Sequence, residues 1–272
     1  MRCSKAMAIN PSDILLTGRV AVVTGGGAGI GRGIAEGLAA FGARVAIWER
    51  DPETCEAAAR AVGGVGIVTD VRDADQVDAA LAQTTSELGT VSILVNNAGG
   101  VFASPLLETT ENGWDALYKA NLRHVLLCTQ RVARDMVAAE MPGSIINLTS
   151  IEGVRAAPRY AAYSAAKAGV INYTLTAAFE LAPYGIRVNA LAPDLTVTDG
   201  LLALSGGRQP GGDAIPMKRP GHVDEMAGAA VFLASGMSSY ITGQTLHVDG
   251  GTQAAGGWYH HPQTGAPTLG PG

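Results

Sequence analysis

The sequence predicts an α/β fold: a single domain built on a doubly wound sheet of about seven parallel strands, with helices on both faces. Two observations lead to this prediction. Short β-branched segments such as VAVVTG alternate with longer Ala-rich segments of helical character such as GIGRGIAEGLAAFG. Of the 272 residues, 47% are hydrophobic and 16% are charged, which excludes disorder for most of the chain and allows one continuous core.

The same alternation places the elements in order. The strand segments are VAVVTG, RVAIWE, VGIVTD, SILVNN, SIINLTS, IRVNALA and TLHVD. The later helical segments are PETCEAAARAV, ADQVDAALAQTTSEL, residues 114–139, residues 160–182 and VDEMAGAAVFLAS. Parallel pairing requires a long crossover between strands, and these helical segments supply it.

Three regions follow from this pattern: an N-terminal extension (1–18), a catalytic domain (19–251) and a C-terminal tail (252–272). From Gly256 onward the tail has no periodicity and is rich in glycine, so we expect an extended or disordered arm. The Gly- and Pro-rich segment 196–220 predicts a mobile loop that closes over the substrate. Trp258 and Tyr259 suggest that the tail covers a pocket of a neighbouring subunit.

Charge and cysteine content narrow the class of partner. The net charge is −5 without a long basic run, so we expect neither nucleic acid nor a membrane surface as partner, but a small-molecule alcohol or ketone. The chain start has no apolar signal segment, and Cys3, Cys55 and Cys128 lack metal or disulfide spacing, which predicts a cytoplasmic protein with reduced thiols. The adjacent histidines 260 and 261 diverge, so no metal site is expected.

A glycine-rich turn, TGGGAGIG, joins the first strand to the first helix. It contains Gly25, Gly29, Ile30 and Gly31. Its glycines let backbone N–H groups approach a pyrophosphate at the helix N-terminus, where the helix dipole favours negative charge. A strand before and a helix after are the context that a Rossmann-type nucleotide site requires.

Glu49 ends the second strand, 18 residues beyond Gly31. A carboxylate at this position can accept hydrogen bonds from both ribose hydroxyls of the adenosine half, and a 2′-phosphate there would meet a like charge. We therefore expect NAD as the cofactor. Arg50 follows directly and could bind that phosphate, which leaves the strictness of the choice open.

Tyr163 and Lys167 stand four residues apart in YSAAK, so both side chains project from one helix face. An ammonium near a phenol favours the phenolate and lowers its pKa from about 10 toward the working range. Ser150 lies thirteen residues upstream, at the end of SIINLTS, and Asn121 lies in KANLRHV. This spacing favours proton chemistry over a solvated helix face.

The segments TGGGAGIG, NNAG (96–99) and YSAAK with its upstream serine together resemble the short-chain dehydrogenase/reductase family, over about residues 19–251. The resemblance implies an NAD(P)-dependent oxidoreductase that acts on CH–OH donors. Tyr163 would be the general acid in reduction and the base in oxidation. Lys167 would lower its pKa and bind the nicotinamide ribose, Ser150 would bind the substrate oxygen, and Asn121 would hold a water in a proton relay.

The resemblance also implies further cofactor contacts. They fall on Asp70, Val71, Asn97, Ala98, Gly99, Tyr163, Lys167, Pro193 and Thr198. Asp70 and Val71 would contact the adenine, although Asp70 could instead serve only as a helix N-cap. Asn97, Ala98 and Gly99 would support the centre of the sheet and the cofactor, and Thr198 would contact the carboxamide.

Two positions depart from the family pattern or lie beside its motifs. The family usually has Gly after the proline that ends the sixth strand, whereas this chain has Asp194. Glu152 follows Ser150 by two residues and could line the substrate cavity, but we favour a solvated loop charge there.

The segment VDGG (248–251) resembles the family's tetramer interface, and the long Ala-rich helices could pair across a two-fold axis, so we expect a homotetramer, with a dimer as the alternative.

Other functions remain open. An NADPH-dependent 3-oxoacyl reductase would need a basic patch for its acidic carrier, and Glu49 and the negative net charge weigh against it. A dinucleotide-binding sensor or scaffold would need none of the catalytic residues. An epimerase or dehydratase is discouraged because the chain lacks a sizeable C-terminal substrate domain.

Overall fold

Seven parallel strands form the centre of the structure, a computed structural model that describes residues 9–207, 211–261 and 263–269. The strands are β1 (Val20–Thr24), β2 (Arg44–Glu49), β3 (Val65–Val68), β4 (Ile93–Asn96), β5 (Gly143–Leu148), β6 (Ile186–Pro193) and β7 (Thr245–Val248). They are arranged in the order β3-β2-β1-β4-β5-β6-β7. The predicted doubly wound sheet is confirmed.

Helices connect the strands. They are α1 (Gly29–Ala40), α2 (Pro52–Val62), α3 (Ala74–Leu88), α4 (Glu111–Tyr118), α5 (His124–Ala138), α6 (Ala161–Leu181), α7 (Asp199–Leu204), α8 (Val223–Ala234) and α9 (Thr252–Ala255). A π-helical turn, Lys119–Arg123, joins α4 to α5. The predicted long helix over 114–139 therefore begins three residues earlier and contains an irregular turn.

Each face of the sheet has its own hydrophobic core. Ala21 and Val23 of β1 point into a core with α1, α2 and α8, while Val20 and Val22 point to the opposite face, against α3, α5 and α6. Alternate residues of a strand face opposite sides of a sheet, and both sides are covered, so β1 is apolar up to its last residue, Thr24. This explains why the strand segments have no polar alternation.

The strand order fixes where a ligand can bind. Because β1 lies between β2 and β4, the chain winds outward in both directions from β1, and the connections after β1 and β4 leave toward opposite faces. The crevice at the carboxyl ends of these strands is where open α/β sheets bind ligands. The glycine turn after β1 and the segment after β4 both lie at this crevice.

Three regions differ from the sequence-based expectation. Leu16, inside the predicted N-terminal extension, is fully buried in the core that contains α1, because the 3₁₀ turn Pro11–Ile14 directs the chain back onto the domain. The segment 196–220 is not all loop, since Thr198 caps α7. The tail is not extended or disordered over its described part. It forms α9 and an antiparallel hairpin of β8 (Trp258–His260) and β9 (Pro267–Leu269).

The buried side chains include Trp48 on β2, whose indole Nε1 donates a hydrogen bond to Thr84 Oγ1 at 3.0 Å. Cys55 and Cys128 are buried free thiols, and burial raises the pKa of both, to about 12 for Cys128. Such thiols are poor nucleophiles, which agrees with a packing role. Cys3 lies outside the described residues.

Candidate active site

The glycine turn has the backbone shape that a phosphate-binding turn needs. Gly25 and Gly29 have φ values of +61° and +55°, which side chains with a Cβ rarely adopt. A Cβ on Gly31 would overlap the carbonyl oxygen of Gly25 and the amide of Asn97. Ile30 packs against the first core and anchors the start of α1. Glycine is therefore needed at these positions. Without side chains, the backbone of the turn can approach a ligand closely.

Glu49 faces this turn. Its Oε2 accepts a hydrogen bond from Gly27 N at 3.2 Å, and its Oε1 accepts from Arg50 N at 2.7 Å and Asp51 N at 3.2 Å. A Cβ on Gly27 would lie 2.7 Å from Glu49 Cγ, so a larger residue would displace the carboxylate. The acid is thus held beside the glycine turn, where the sequence predicts that the ribose of an adenosine would bind.

The segment after β4 is tied to the glycine turn. Asn97 donates from its side chain to the carbonyl oxygens of Thr24 and Gly25, both at 3.0 Å, and the Thr24 hydroxyl accepts from the backbone N–H groups of Asn97 and Ala98. Gly99 lies beside Asn121, because a Cβ there would be 3.0 Å from Asn121 Oδ1. These contacts bring Asn97, Ala98 and Gly99 to the crevice.

Asp70 and Val71, the residues expected to contact the adenine, follow β3. Asp70 binds Arg72 through Nε at 2.8 Å, and this hydrogen bond holds the pKa of Asp70 below its ordinary value. Asp70 is not the cap of α3, because Asp73 accepts the hydrogen bonds that cap that helix. Val71 is buried in the second core.

Ser150, Tyr163 and Lys167 meet at the carboxyl end of β5. Ser150 is the residue before the 3₁₀ turn Ile151–Gly153, and its hydrogen bond with Tyr163 acts to lower the pKa of the phenol. Lys167 lies one turn along α6, with its ammonium 5.6 Å from the centre of the Tyr163 ring. Lys167 Nζ also donates to the Leu148 carbonyl at 2.8 Å. The structure therefore brings the three predicted residues together.

Asn121 joins this group from the π-helical turn. Its side chain donates to the carbonyl oxygens of Gly100 and Leu117, at 2.8 and 3.0 Å, and accepts from Gly100 N at 3.3 Å. A π-helical turn places a side chain where a regular helix would not, and such turns are frequent at functional sites. On the other side, Gly169 of α6 has no room for a Cβ against Leu122 of the same turn.

The expected lowering of the Tyr163 pKa is wrong for this structure. Burial raises the pKa of Tyr163, the hydrogen bond with Ser150 opposes the rise, and the negative charge of Glu152 adds to it. Lys167 is fully buried as well, and burial lowers its own pKa to about 8. Desolvation is the largest cause for both groups, because each charged form has lost its water.

Pro193, at the end of β6, and Thr198, at the N-cap of α7, border the site. Pro193 ends β6, buried at the carboxyl edge of the sheet. Thr198 lies against the glycine turn, since a Cβ on Gly29 would be 3.4 Å from its methyl group. The residues predicted for the two ends of the cofactor therefore lie along one crevice, from Asp70 to Thr198.

The structure also shows residues that sequence reasoning missed or misread. Glu152 is not a solvated loop charge: it pairs with Arg155 at 2.7 Å, and Arg155 also pairs with Asp194 at 3.3 Å. His124 is fully buried three residues after Asn121, and burial, with the charge of Lys167, lowers its pKa to about 3. A histidine on the apolar face of a helix was the available signal for this residue.

Two other kinds of site are absent from the described residues. No group of three or more His, Cys, Asp and Glu side chains is arranged there to hold a metal ion. Within the same part of the chain, every helix is too short or too polar to cross a membrane.

Comparison with known proteins agrees with this geometry. A family model described as enoyl-(acyl carrier protein) reductase matches residues 25–253. The chain is 42% identical over 238 residues to a 3-oxoacyl-[acyl-carrier-protein] reductase of Staphylococcus epidermidis, covering 85% of this chain and 97% of that protein. It is 40% identical to the reductase of the same name from Synechocystis, over 87% of this chain and 97% of that one.

Solved structures match equally well. A gluconate 5-dehydrogenase from Burkholderia cenocepacia, in complex with NADP and tartrate, superposes with a TM-score of 0.83 at 38% identity, covering 90% of this chain and 98% of that one. A short-chain type dehydrogenase/reductase from Mycobacterium marinum superposes with a TM-score of 0.84 at 33% identity, covering 88% and 97%. The protein is an oxidoreductase that belongs to the short-chain dehydrogenase/reductase family.

Proposed function

We propose that this protein transfers a hydride reversibly between NAD(H) and a ketone or secondary alcohol, with Tyr163 as the proton donor and acceptor. The observation that carries the proposal is the position of Tyr163 in hydrogen-bond reach of Ser150, with the Lys167 ammonium 5.6 Å from its ring. A positioned acid and an oxygen-binding hydroxyl are what carbonyl reduction needs, because the developing alkoxide must be stabilised and protonated.

Each residue has one task in this proposal. A bound nicotinamide would accept or supply the hydride. Ser150 Oγ donates a hydrogen bond to the substrate oxygen, and Tyr163 gives that oxygen a proton in reduction and removes it in oxidation. Lys167, charged below a pKa of about 8, would bind the nicotinamide ribose. Asn121 holds its carboxamide toward Gly99 and Gly100, where it can bind the water that passes the proton on.

The residues at the adenosine end fit a nicotinamide dinucleotide, and we propose NAD as the preferred one. The Glu49 carboxylate is fixed by three backbone N–H groups beside the glycine turn. A 2′-phosphate at this point would meet that fixed negative charge, whereas ribose hydroxyls can donate to it. The related gluconate 5-dehydrogenase structure contains NADP, so both cofactors belong in the test.

The proposal predicts that Tyr163→Phe lowers turnover by at least about 10²-fold, the scale of lost acid–base catalysis, with little change in cofactor affinity. The measurement is the rate of nicotinamide reduction against secondary alcohols, polyols and steroids, with cofactor affinity measured by fluorescence titration. Tyr184→Phe, which removes an exposed phenol just beyond α6, is the matched control. Near-normal turnover by Tyr163→Phe would overturn the mechanism.

A second candidate is reduction of 3-oxoacyl thioesters, which is the activity in the names of the curated relatives. The negative net charge offers little attraction to an acidic carrier protein. The two candidates separate in one assay, in which an acetoacetyl thioester is offered free and on the acyl carrier protein. A much higher kcat/KM for the carrier-bound form would favour the second candidate.

We also propose a homotetramer in the cytoplasm. The outer face of α6 exposes Leu175 and Phe179, the latter at 84%, which is unusual for a solvated helix. Two-fold pairing of this helix would cover both side chains. Buried, unpaired thiols at Cys55 and Cys128 suit a reducing compartment.

A further inference from the structure

Glu152, Arg155 and Asp194 form a charged cluster where the loops after β5 and β6 meet. Ser150 Oγ accepts the backbone N–H of Glu152 at 3.1 Å, so the cluster begins beside the residue proposed to hold the substrate oxygen. Asp194 directly follows Pro193, the last residue of β6. The cluster therefore borders the reacting end of the site, which the proposed function assigns to the substrate.

Arg155 is already occupied by the two acids. Its Nε and one terminal nitrogen donate to Glu152 Oε1 at 3.2 and 2.7 Å, and the same terminal nitrogen donates to Asp194 Oδ1 at 3.3 Å. Burial lowers the pKa of Arg155, but the hydrogen bond to Glu152 and the charges of both acids raise it more. The guanidinium is thus a bound counter-ion and not a free anion receptor.

Breaking the ion pair between Arg155 and Asp194 would cost a large free energy. The Asp194 side chain is 7% exposed, whereas those of Glu152 and Arg155 are 26% and 41% exposed. Moving Arg155 onto a substrate anion would leave the enclosed Asp194 carboxylate without its counter-ion, and an unpaired buried charge is strongly unfavourable. Two carboxylates and one guanidinium give this cluster a net charge of −1.

This negative charge reaches the reacting group. The charge of Glu152 is one of the causes that raise the pKa of Tyr163, after burial and the opposing hydrogen bond with Ser150. A carboxylate that acts on the phenol also acts on any charge carried by a substrate whose oxygen lies against that phenol. The same charged cluster therefore repels an anionic group near the reacting carbon of a substrate.

We propose that Glu152, Arg155 and Asp194 determine substrate specificity by excluding ketones and alcohols that carry an anionic group close to the reacting carbon, so that the enzyme acts on electrically neutral substrates. The inference rests on the proposed function, since it assumes that the substrate oxygen lies at Ser150 and Tyr163. It assigns Asp194, where the family usually has glycine, to substrate selection.

The test compares two ketones that differ in charge, ethyl acetoacetate and acetoacetate. We expect the wild-type protein to favour the neutral ester in kcat/KM by at least about tenfold, the scale of one partly screened charge interaction. Glu152→Gln and Asp194→Asn should each reduce this ratio several-fold. Arg155→Gln should increase it, a change opposite in sign that general loss of folding would not produce.

Glu36→Gln is the matched control. It removes one negative charge from an exposed ion pair with Arg32 on α1, and should leave the ratio unchanged. A wild-type protein that reduces acetoacetate as well as the ester, or a ratio that none of the three substitutions moves, would overturn the proposal.

A binding measurement separates this inference from the proposed chemistry. Ligand-observed NMR of the two ketones with cofactor-loaded Tyr163→Phe, which lacks the proposed acid, should show the same preference for the ester. If the ester binds preferentially but the wild-type protein turns over neither ketone, the proposed function is contradicted, and the role of the charged cluster in specificity is supported. Equal binding of both ketones, or binding of neither, would contradict the proposal that the charged cluster selects neutral substrates.

Discussion

Lys167 keeps an ammonium group in the protein interior, at 4% exposure. Burial lowers its pKa from 10.5 to about 8, so the folded chain binds this proton less tightly than the unfolded chain. Below about pH 8 the charged form is present in both states and the full cost of burying it opposes folding. Between pH 8 and 10.5 the folded state releases the proton first, and stability rises with pH.

The first prediction at the residue scale is therefore that Lys167→Met stabilises the protein while abolishing turnover. The expected gain at pH 7 is about 2 kcal/mol, which allows for the lost hydrogen bond to the Leu148 carbonyl. Urea unfolding followed by circular dichroism at pH 7 and pH 10 measures it. The gain should shrink at pH 10, and a variant that is less stable at pH 7 would contradict the prediction.

The second prediction is that Glu49→Ala weakens NAD binding by about tenfold or more and weakens NADP binding less. The substitution removes the acceptor for the ribose hydroxyls and also the like charge facing a 2′-phosphate. Fluorescence titration with both reduced cofactors gives the two affinities. Glu53→Gln on the exposed surface of α2 is the control for net charge, and an unchanged cofactor preference would refute the ribose assignment.

Single residues also mark the limit of sequence reasoning. The helix period alone brings Tyr163 and Lys167 together, because four residues make about one turn. The helix period contains no information on burial. It therefore cannot show that desolvation, and not Lys167, dominates the pKa of Tyr163. Sequence reasoning likewise leaves Glu152 as a loop charge, because the guanidinium of Arg155 that pairs with it is also held by Asp194, 39 positions after Arg155, in the loop after another strand.

At the scale of elements, the turn between β1 and α1 depends on the absence of side chains. Gly31→Ala would place a Cβ against the Gly25 carbonyl and the Asn97 amide. Both partners are fixed in the turn, so we expect the cofactor affinity to fall by at least about tenfold and the stability by about 1–3 kcal/mol. Calorimetry of unfolding, with and without NAD, checks both effects.

The matched control is Gly228→Ala in α8. A Cβ at Gly228 meets no atom within 4 Å, so this substitution should stabilise the protein by about 0.5–1 kcal/mol through helix propensity alone. If both alanine variants behave alike, the close fit at the turn has no energetic importance.

The elements differ in how far the sequence predicts them. The strands and α1, α2, α3, α6 and α8 follow from apolar runs and Ala-rich periodicity, because local propensity and burial agree there. The π-helical turn Lys119–Arg123 does not, since one extra residue in a helix leaves no periodic mark over five residues. Its position is decided by tertiary packing, with Leu122 against Gly169 and Asn121 against Gly100.

At the scale of the whole molecule, the tail lies outside both hydrophobic cores. Among the described residues, those buried in the cores all precede β7, and Trp258 and Leu269, which pair across the hairpin, are both largely exposed. The sequence predicts an extended or disordered arm here, because GGWYHHPQTGAPTLGPG has no periodicity and five glycines, and three-residue strands are too short to leave a periodic pattern.

Deletion of residues 258–272 should therefore change the free energy of unfolding by less than about 1 kcal/mol. The truncated chain should keep the oligomeric state of the full chain, a tetramer under our proposal, because α6 and residues 248–251 remain. Chemical denaturation and light scattering after size exclusion measure these two outcomes. A rise in the KM for substrate with unchanged stability would support the hypothesis that Trp258 and Tyr259 cover a neighbouring subunit's pocket.

The enclosed indole of Trp48 gives this chain an intrinsic optical reporter. The chain has three tryptophans, and truncation of the tail removes the exposed Trp258. The remaining emission would come from Trp114 and from Trp48, which is fully buried, hydrogen-bonded to Thr84 and adjacent to Glu49. Iodide should quench Trp48 poorly in the folded chain, so its fluorescence follows the integrity of the sheet beside Glu49.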